Sequence, residues 1–152
     1  MTSEFQSEHA EDSAQSIGFS FIKAYNIWHR KTKTDLLAIG LTHPQFVTLA
    51  ALGYLQQQQE EVNQIDIAVN TDMDVMTVST IVRNLEKQAL INRNVSKIDS
   101  RAKVITITSQ GSFVLNQALK IVEDIDRTYF SVLKEDKNVF NDLLHLLIQK
   151  NS

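Results

Sequence analysis

The sequence predicts a mainly α-helical protein with one small β-hairpin. Only one proline and four glycines occur among its 152 residues, so long stretches are free to form helices. Apolar residues recur at helical spacing along most of the chain, whereas residues 90–108 show the alternation of two short strands around a charged turn. The expected order is two helices, a short strand, two helices, a two-stranded hairpin and two final helices.

The first helix is expected to run from about residue 13 to residue 40, where Gly40 ends it. The preceding residues 1–12 are acidic and polar, and we expect them to form a flexible tail. One face of the helix is apolar at helical spacing. The residues on that face are Ile17, Phe21, Ala24 and Trp28.

The second helix is expected to begin near Thr42, because Thr42 or His43 can cap it and Pro44 is tolerated in a first turn. Its apolar residues lie nearly all round the helix, which is typical of a buried central helix. We interpret residues 56–61 as a solvated helix end followed by a loop. The apolar residues are Phe46, Val47, Leu49, Ala50, Leu52 and Leu55.

Polar side chains predict the start of a third and a fourth helix. Asn63 and Asp66 have the spacing of a capping pair and begin a short helix. After a turn at residues 71–73, Asp74 caps a fourth helix over residues 75–89. The residues expected to point inward are Ile65, Ala68 and Val69 on the third helix and Val78, Ile81, Val82 and Leu85 on the fourth.

Residues 90–96 and 103–108 are expected to form the two strands of the hairpin, the second alternating inward isoleucines with outward threonines. Residues 109–133 and a segment from about residue 136 are expected to form the final helices. Both carry apolar residues on more than one face. Together with the first helix, this surplus favours burial against a second copy of the chain.

A helix-turn-helix followed by a charged hairpin is the layout of a winged helix-turn-helix. Such a unit offers a helix to the DNA major groove and a hairpin arginine to the minor groove. Residues 83–103 carry six basic and two acidic residues, a net charge of +4 within a chain of net charge −3. A basic patch of this kind provides phosphate contacts, while the acidic body limits non-specific binding.

The outer edge of the fourth helix supplies the candidates for reading bases. Arg83 can donate to guanine O6 and N7, Asn84 can pair with adenine, and Met76 or Thr80 can contact a thymine methyl. Lys87 lies further along the helix and is expected to meet phosphate. The candidates on this helix are Met76, Thr77, Thr80, Arg83, Asn84 and Lys87.

The charged turn supplies the other candidates. Arg101 at its tip is suited to a narrow minor groove, where negative potential is concentrated. Lys97 and Lys103 flank it. Asp99 has the wrong sign for phosphate contact, so we expect it to brace the turn or to orient Arg101.

These motifs resemble the MarR (multiple antibiotic resistance regulator) family of bacterial transcription factors over residues 17–147. The wing motif Asp-Ser-Arg at residues 99–101 and the Ile-Thr-Ser-Gln-Gly run at 107–111 carry most of the resemblance. Residues 85–91 are similar to the family's recognition-helix end, and residues 41–46 to its second-helix start.

The resemblance implies a triangular homodimer in which the first and last two helices of each subunit interlock. We therefore expect a dimerisation region at residues 13–40 and 109–150, intertwined in one domain with a DNA-binding region at 41–108. Two winged helices would read a palindromic operator. The expected role is that of a cytoplasmic transcriptional regulator, more specifically a repressor.

The resemblance also implies a small aromatic or anionic effector bound between the dimer helices and the DNA-binding region. Alternatively, Trp28 is a core residue rather than an effector-binding residue, because it shares the helix face of Ile17. The candidates for effector binding are Tyr25, Trp28, His29, Arg30 and Phe46.

Three positions depart from the family pattern. Met76 and Thr80 stand where Ser and Arg are common, so we expect an unusual operator preference. Ala89 stands where a helix-ending glycine is common, so we expect a less sharp turn into the hairpin.

Other classes of function find less support. Motifs for phosphate loops, nucleophile elbows and paired zinc-binding histidines are absent from the sequence, which argues against an enzyme, and no cofactor is predicted. No cysteine occurs and no histidine pair has the spacing of a metal site, so no metal is expected. Neither a membrane span nor a signal peptide is expected. Two alternatives stay open: a winged helix that contacts only proteins, and a regulator without a ligand pocket.

Overall fold

The computed structural model describes residues 4–152, and its mainly helical architecture with one β-hairpin confirms the predicted fold class. The first three residues of the expected tail lie outside the described residues, and residues 4–12 form no helix or strand. The elements are a 3-10 turn Ser13–Gln15, α1 Ile17–Leu37, α2 His43–Gln56, α3 Gln64–Thr71, α4 Val75–Lys87, β1 Ile91–Val95, β2 Lys103–Ile107, α5 Ser109–Phe130, a 3-10 segment Ser131–Asp136 and α6 Lys137–Asn151.

Side-chain caps begin α2, α3 and α4 where the sequence predicts them. Thr42 Oγ1 accepts a hydrogen bond from the Gln45 N–H, and Gln45 Oε1 accepts one from the Thr42 N–H. Asn63 and Asp66 form the same reciprocal pair at the start of α3. The Asp74 carboxylate accepts bonds from two backbone N–H groups of α4. Each cap satisfies donors that a helix start leaves free, so these helices have fixed beginnings.

The hydrophobic core surrounds α2, which contacts α1, α3, α4, α5 and β2. As the sequence predicts, the apolar face of α4 packs against this core, and Val78, Val82 and Leu85 are fully buried. The opposite edge of α4 therefore faces outward. Other fully buried core residues are Leu36, Leu41, Leu49, Leu52, Val62, Ile67, Ile91 and Ile105.

The expected orientation of α3 is only partly right. Ala68 is buried as predicted, but Ile65 and Val69 are 61% and 77% exposed, and Ile67 points inward instead. The helix has only eight residues. Two turns give too few positions for apolar spacing alone to fix which side faces the core.

The expected strand before α3 is reduced to one backbone hydrogen bond, from the Ile105 N–H to the Val62 carbonyl at 2.8 Å. Asn63 caps α3 immediately afterwards, so the chain turns away before a second ladder bond can form. Among the described residues the sheet thus has two antiparallel strands, with Ile91 opposite Ile107 and Val95 opposite Lys103.

The turn at Ala89 is as sharp as a glycine turn, and the expectation of a looser one is wrong. Ala89 adopts a left-handed φ of 60°, and the Leu90 N–H donates to the Leu85 carbonyl at 3.0 Å. A side chain in this conformation costs about 1 kcal/mol. The surrounding core, in which Leu85 and Leu90 are both buried, holds the strained residue in place.

Long-range polar contacts join α1 to α5. The Trp28 indole N–H donates to Asp126 Oδ1 at 2.7 Å, and the Tyr129 hydroxyl donates to the Ala24 carbonyl at 2.7 Å. The chain after α5 bends at Lys134, whose φ is 54°, and α6 follows with none of its fifteen residues buried.

Candidate nucleic-acid interface

The outer edge of α4 is exposed along its whole length. Met76, Thr80 and Arg83 lie next to one another on this edge, because residues three and four apart are neighbours on a helix. The Thr80 hydroxyl donates to the Met76 carbonyl at 3.2 Å, and Arg83 Nη2 donates to Thr80 Oγ1 at 3.4 Å. The other predicted contact residues on α4, which are Thr77, Asn84 and Lys87, are exposed as well.

Arg101 projects from the tip of the wing, which comprises β1, β2 and the turn between them. Its side chain is 90% exposed. Asp99 Oδ1 accepts hydrogen bonds from the Arg101 backbone N–H at 3.0 Å and from its Nε at 3.2 Å. These two bonds, the backbone one first, lower the pKa of Asp99. Asp99 therefore stays ionised at neutral pH and restrains the guanidinium through Nε, while the Nη atoms make no hydrogen bond to any residue in 4–152.

Lys97 and Lys103 are exposed on either side of this tip. The wing turn is closed by the Ser96 N–H, which donates to the Ala102 carbonyl at 3.0 Å, and by the Ala102 N–H, which donates to the Asp99 carbonyl at 2.9 Å. All ten sequence-predicted contact residues thus reach solvent, six from α4 and four from the wing.

Arg93 belongs to the basic window but has a structural partner. Its Nη2 and Nε donate to Glu86 Oε1 at 2.8 and 3.2 Å, which ties β1 to α4. The hydrogen bond raises the pKa of Arg93 and lowers that of Glu86. The two residues lie across the turn at Ala89, so helical spacing gave no signal for the pair. Arg93 is therefore engaged within the protein and links β1 to α4.

The five predicted effector residues are only partly brought together. Tyr25 and Trp28 line a groove of about 200 Å³ between α1, α5 and α6, and His29 stacks on Tyr25. Arg30 lies on another side of α1, and Phe46 is buried in the core. Trp28 itself is half-buried, with one edge in the groove. The groove is lined by Phe21, Ala24, Tyr25, Trp28, Tyr129, Phe130, Phe140 and Leu144.

His29 and His43, which lie 14 residues apart and give no sequence signal of a pair, are in contact. Their Nδ1 atoms are 2.7 Å apart and their rings are stacked at 4.8 Å. Burial, and secondly the nearby His29, lower the pKa of His43 to about 4. His43 is therefore neutral at neutral pH, so it provides no positive charge near the groove.

Residues 4–152 contain no cluster of three or more histidine, cysteine, aspartate or glutamate side chains able to hold a metal ion. None of the helices in this part of the chain has the length and hydropathy needed to cross a membrane.

An exposed, partly basic helix beside an arginine-tipped wing defines a winged-helix regulator that binds DNA. The family model described as transcriptional regulator SarA/Rot matches residues 31–118. The chain is also 35% identical to the uncharacterized HTH-type transcriptional regulator YdcH of Bacillus subtilis (strain 168) over 132 residues, 87% of this chain and 90% of the relative.

Solved structures share the same fold. The MepR–DNA complex of S. aureus is 26% identical with a TM-score of 0.81, over 93% of this chain and 100% of MepR. CouR of Rhodococcus jostii RHA1, bound to p-coumaroyl-CoA, is 23% identical with a TM-score of 0.77, over 90% and 92% of the two chains. The chain belongs to the SarA/Rot family of transcriptional regulators, has the winged-helix fold of MarR-family regulators, and is not an enzyme.

Proposed function

We propose that the protein is a homodimeric, cytoplasmic repressor of a palindromic operator. Helix α4 enters the major groove of each half-site, and Arg101 enters the adjacent minor groove. The observation that carries this proposal is the exposed Arg101 side chain at the wing tip, whose orientation is restrained by Asp99. The other phosphate and base contacts come from the exposed α4 edge and the two wing lysines.

We further propose the division of labour expected from the sequence. Residues 41–108 bind DNA, and residues 13–40 and 109–150 join two subunits. The exposed apolar residues of α1 and α6 support this division, because a soluble monomer rarely leaves so much contiguous apolar surface in water. Residues 4–12 belong to neither region.

Arg101→Ala is expected to weaken operator binding by roughly 1–3 kcal/mol without affecting folding. The loss reflects one minor-groove cation, so the salt dependence of binding also becomes shallower by about one ion. An operator is first obtained by sequencing the DNA fragments that the purified protein retains. Anisotropy titrations of that duplex at several salt concentrations then measure both quantities.

Arg127→Ala is the matched control for this experiment. Arg127 is also exposed and also pairs with an aspartate, Asp124, but it lies on α5 away from the wing. Since Arg127 lies in the proposed dimerisation region, sedimentation first has to show that the variant is dimeric, and it should then bind the operator like the wild type. If Arg101→Ala bound equally well, the wing would not be a DNA-contacting element.

We propose that the groove beside Trp28 receives a small aromatic effector. None of the eight residues that line it carries a positive charge, which favours a neutral ring over an anion. A volume of about 200 Å³ suits a single ring, because an apolar cavity of about 150 Å³ is enough to bind benzene. The groove lies between α1, α5 and α6, so a ligand there can change how the subunits and their DNA-binding regions are oriented.

Neutral single-ring phenols are expected to change the fluorescence of Trp28, the single tryptophan of the chain, in a saturable way. They should release the operator over the same concentration range, whereas benzoates should act more weakly. Tyr25→Ala removes a stacking wall of the groove and should weaken ligand binding about tenfold, with duplex affinity in the absence of ligand unchanged. A strictly linear quenching curve for every compound would favour a regulator without an effector.

A further inference from the structure

Glu61 connects the loop after α2 to the start of the wing turn, which comprises residues 96–101. Its Oε2 accepts a hydrogen bond from the Ser96 hydroxyl at 2.6 Å, and its Oε1 accepts one from the Lys97 backbone N–H at 2.9 Å. Ser96 is buried, although the wing around it is exposed. One carboxylate therefore holds two successive residues at the point where the chain leaves β1. The sequence pattern predicts a solvated loop for residues 56–61 and gives no sign of this contact of Glu61.

Ser96 passes the restraint on to the wing tip. Its hydroxyl oxygen accepts hydrogen bonds from the backbone N–H groups of Ile98 and Asp99, both at 3.0 Å. The Asp99 carboxylate then holds the Arg101 backbone and guanidinium. A continuous chain of hydrogen bonds thus runs from Glu61 through Ser96 and Asp99 to Arg101.

The strands of the hairpin have supports that do not depend on Glu61. The Val62 carbonyl accepts a bond from the Ile105 N–H, and Gln56 Oε1 accepts one from the Ile107 N–H at 3.2 Å. Both contacts lie on β2, and Ile105 is also buried in the core. Loss of the Glu61 carboxylate would therefore loosen the turn at residues 96–101 and leave the strands in place.

We propose that Glu61 is a positioning residue for DNA binding, which sets the wing turn so that Arg101 is presented in one conformation. This inference rests on the proposed minor-groove role of Arg101. A flexible wing has to be ordered when DNA binds. The apparent affinity is therefore lower when a smaller fraction of the molecules is already in the binding conformation. Glu61 raises that fraction before DNA arrives.

The negative charge of Glu61 allows its two effects on DNA binding to be told apart, because the electrostatic effect weakens binding and the positioning effect strengthens it. A carboxylate near the wing repels phosphate, so its neutralisation alone would strengthen binding. Glu60 provides the matched control, since it is exposed and makes no hydrogen bond or ion pair within the described part of the chain. Glu60→Gln should leave operator affinity unchanged or slightly raise it.

Glu61→Gln is expected to weaken operator binding about tenfold, the worth of roughly one hydrogen bond to a charged group. Ser96→Ala removes the same link from the other side and should have a similar effect. In an Arg101→Ala background, Glu61→Gln should cause little further loss, because the cation that it positions is gone. Amide exchange at residues 97–99 should speed up, while exchange in α4 stays unchanged.

Each outcome decides the proposal. It is overturned if Glu61→Gln binds as tightly as the wild type while Arg101→Ala is impaired, and the role of Arg101 then survives. It is also overturned if Glu61→Gln costs as much in the Arg101→Ala background as in the wild type, because the residue would then act through general stability. If Arg101→Ala itself has no effect, both the minor-groove role and the role of Glu61 are lost. Where Glu61→Gln unfolds, Ser96→Ala and the exchange rates give the decision.

Discussion

Gly111→Ala is expected to lower the free energy of unfolding by about 3 kcal/mol or more, the largest stability loss that we expect from adding one methyl group. A Cβ at Gly111 would stand 2.0 Å from the Leu90 carbonyl oxygen and 2.9 Å from the Ile107 Cγ2. The oxygen belongs to the backbone and already accepts a hydrogen bond from the Thr108 N–H. It cannot move aside without breaking the junction of the wing with α5.

Thr108 also binds this junction through its side chain, which donates to the Ala89 carbonyl at 2.7 Å and accepts from the Gly111 N–H at 2.9 Å. The methyl group would therefore disturb three features together, which are the turn at Ala89 after α4, the start of β1 and the N-terminal cap of α5. Because α4 and the wing are joined there, we expect operator binding to fall with stability. The glycine is required here for space, and its φ is not one that other residues avoid.

Gly18→Ala is the matched control, since a Cβ at Gly18 meets no atom within 4 Å. It should keep or slightly raise stability, because alanine favours a helix more than glycine does. Thermal unfolding measures both variants, and a loss of 3 kcal/mol corresponds to a fall of about 10 °C in Tm for a chain of this length. A Gly111→Ala protein that melts within 2–3 °C (about 1 kcal/mol) of the wild type would contradict the expected clash.

The helix starts could be predicted because their stabilising bonds are local. Thr42, Asn63 and Asp74 each cap the helix that follows through an N–H no more than three residues away. Inward residues of α4 were predictable as well, since thirteen residues make the apolar stripe unambiguous. The eight residues of α3 are too few to define such a stripe, and the inward orientation predicted for Ile65 and Val69 was therefore wrong.

The contacts that shape the candidate site lie far apart in the sequence. Glu61 meets Ser96 across 35 residues, and Trp28 meets Asp126 across 98. No periodicity or cap signal links such positions, because the packing of separate elements brings them together. The sequence could name base-reading candidates such as Arg83 and the local support of Arg101 by Asp99. It could not name Glu61, which holds the wing turn from a distant part of the chain.

Leu147→Glu is expected to dissociate the proposed homodimer and to weaken operator binding by roughly 10²–10⁴-fold, because each subunit then binds one half-site without the avidity of two. Leu147 lies on α6, which has no buried residue within one subunit. A helix of fifteen residues is marginal in water unless an apolar face packs against another surface. Apart from Phe140, which lines the effector groove, the exposed apolar residues of α6 that need a partner are Val139, Leu143, Leu146, Leu147 and Ile148.

Gln149→Glu adds the same charge two residues further along α6, about 160° round the helix from Leu147. It should leave the dimer and its affinity intact. Sedimentation at micromolar concentration should give a dimer for the wild type and Gln149→Glu, and a monomer for Leu147→Glu. A duplex carrying a single half-site separates avidity from unfolding, since a folded monomer should bind it about as weakly as the full operator. If Leu147→Glu stayed dimeric with full affinity, α6 would not form the subunit interface, and the paired reading of a palindrome would need another support.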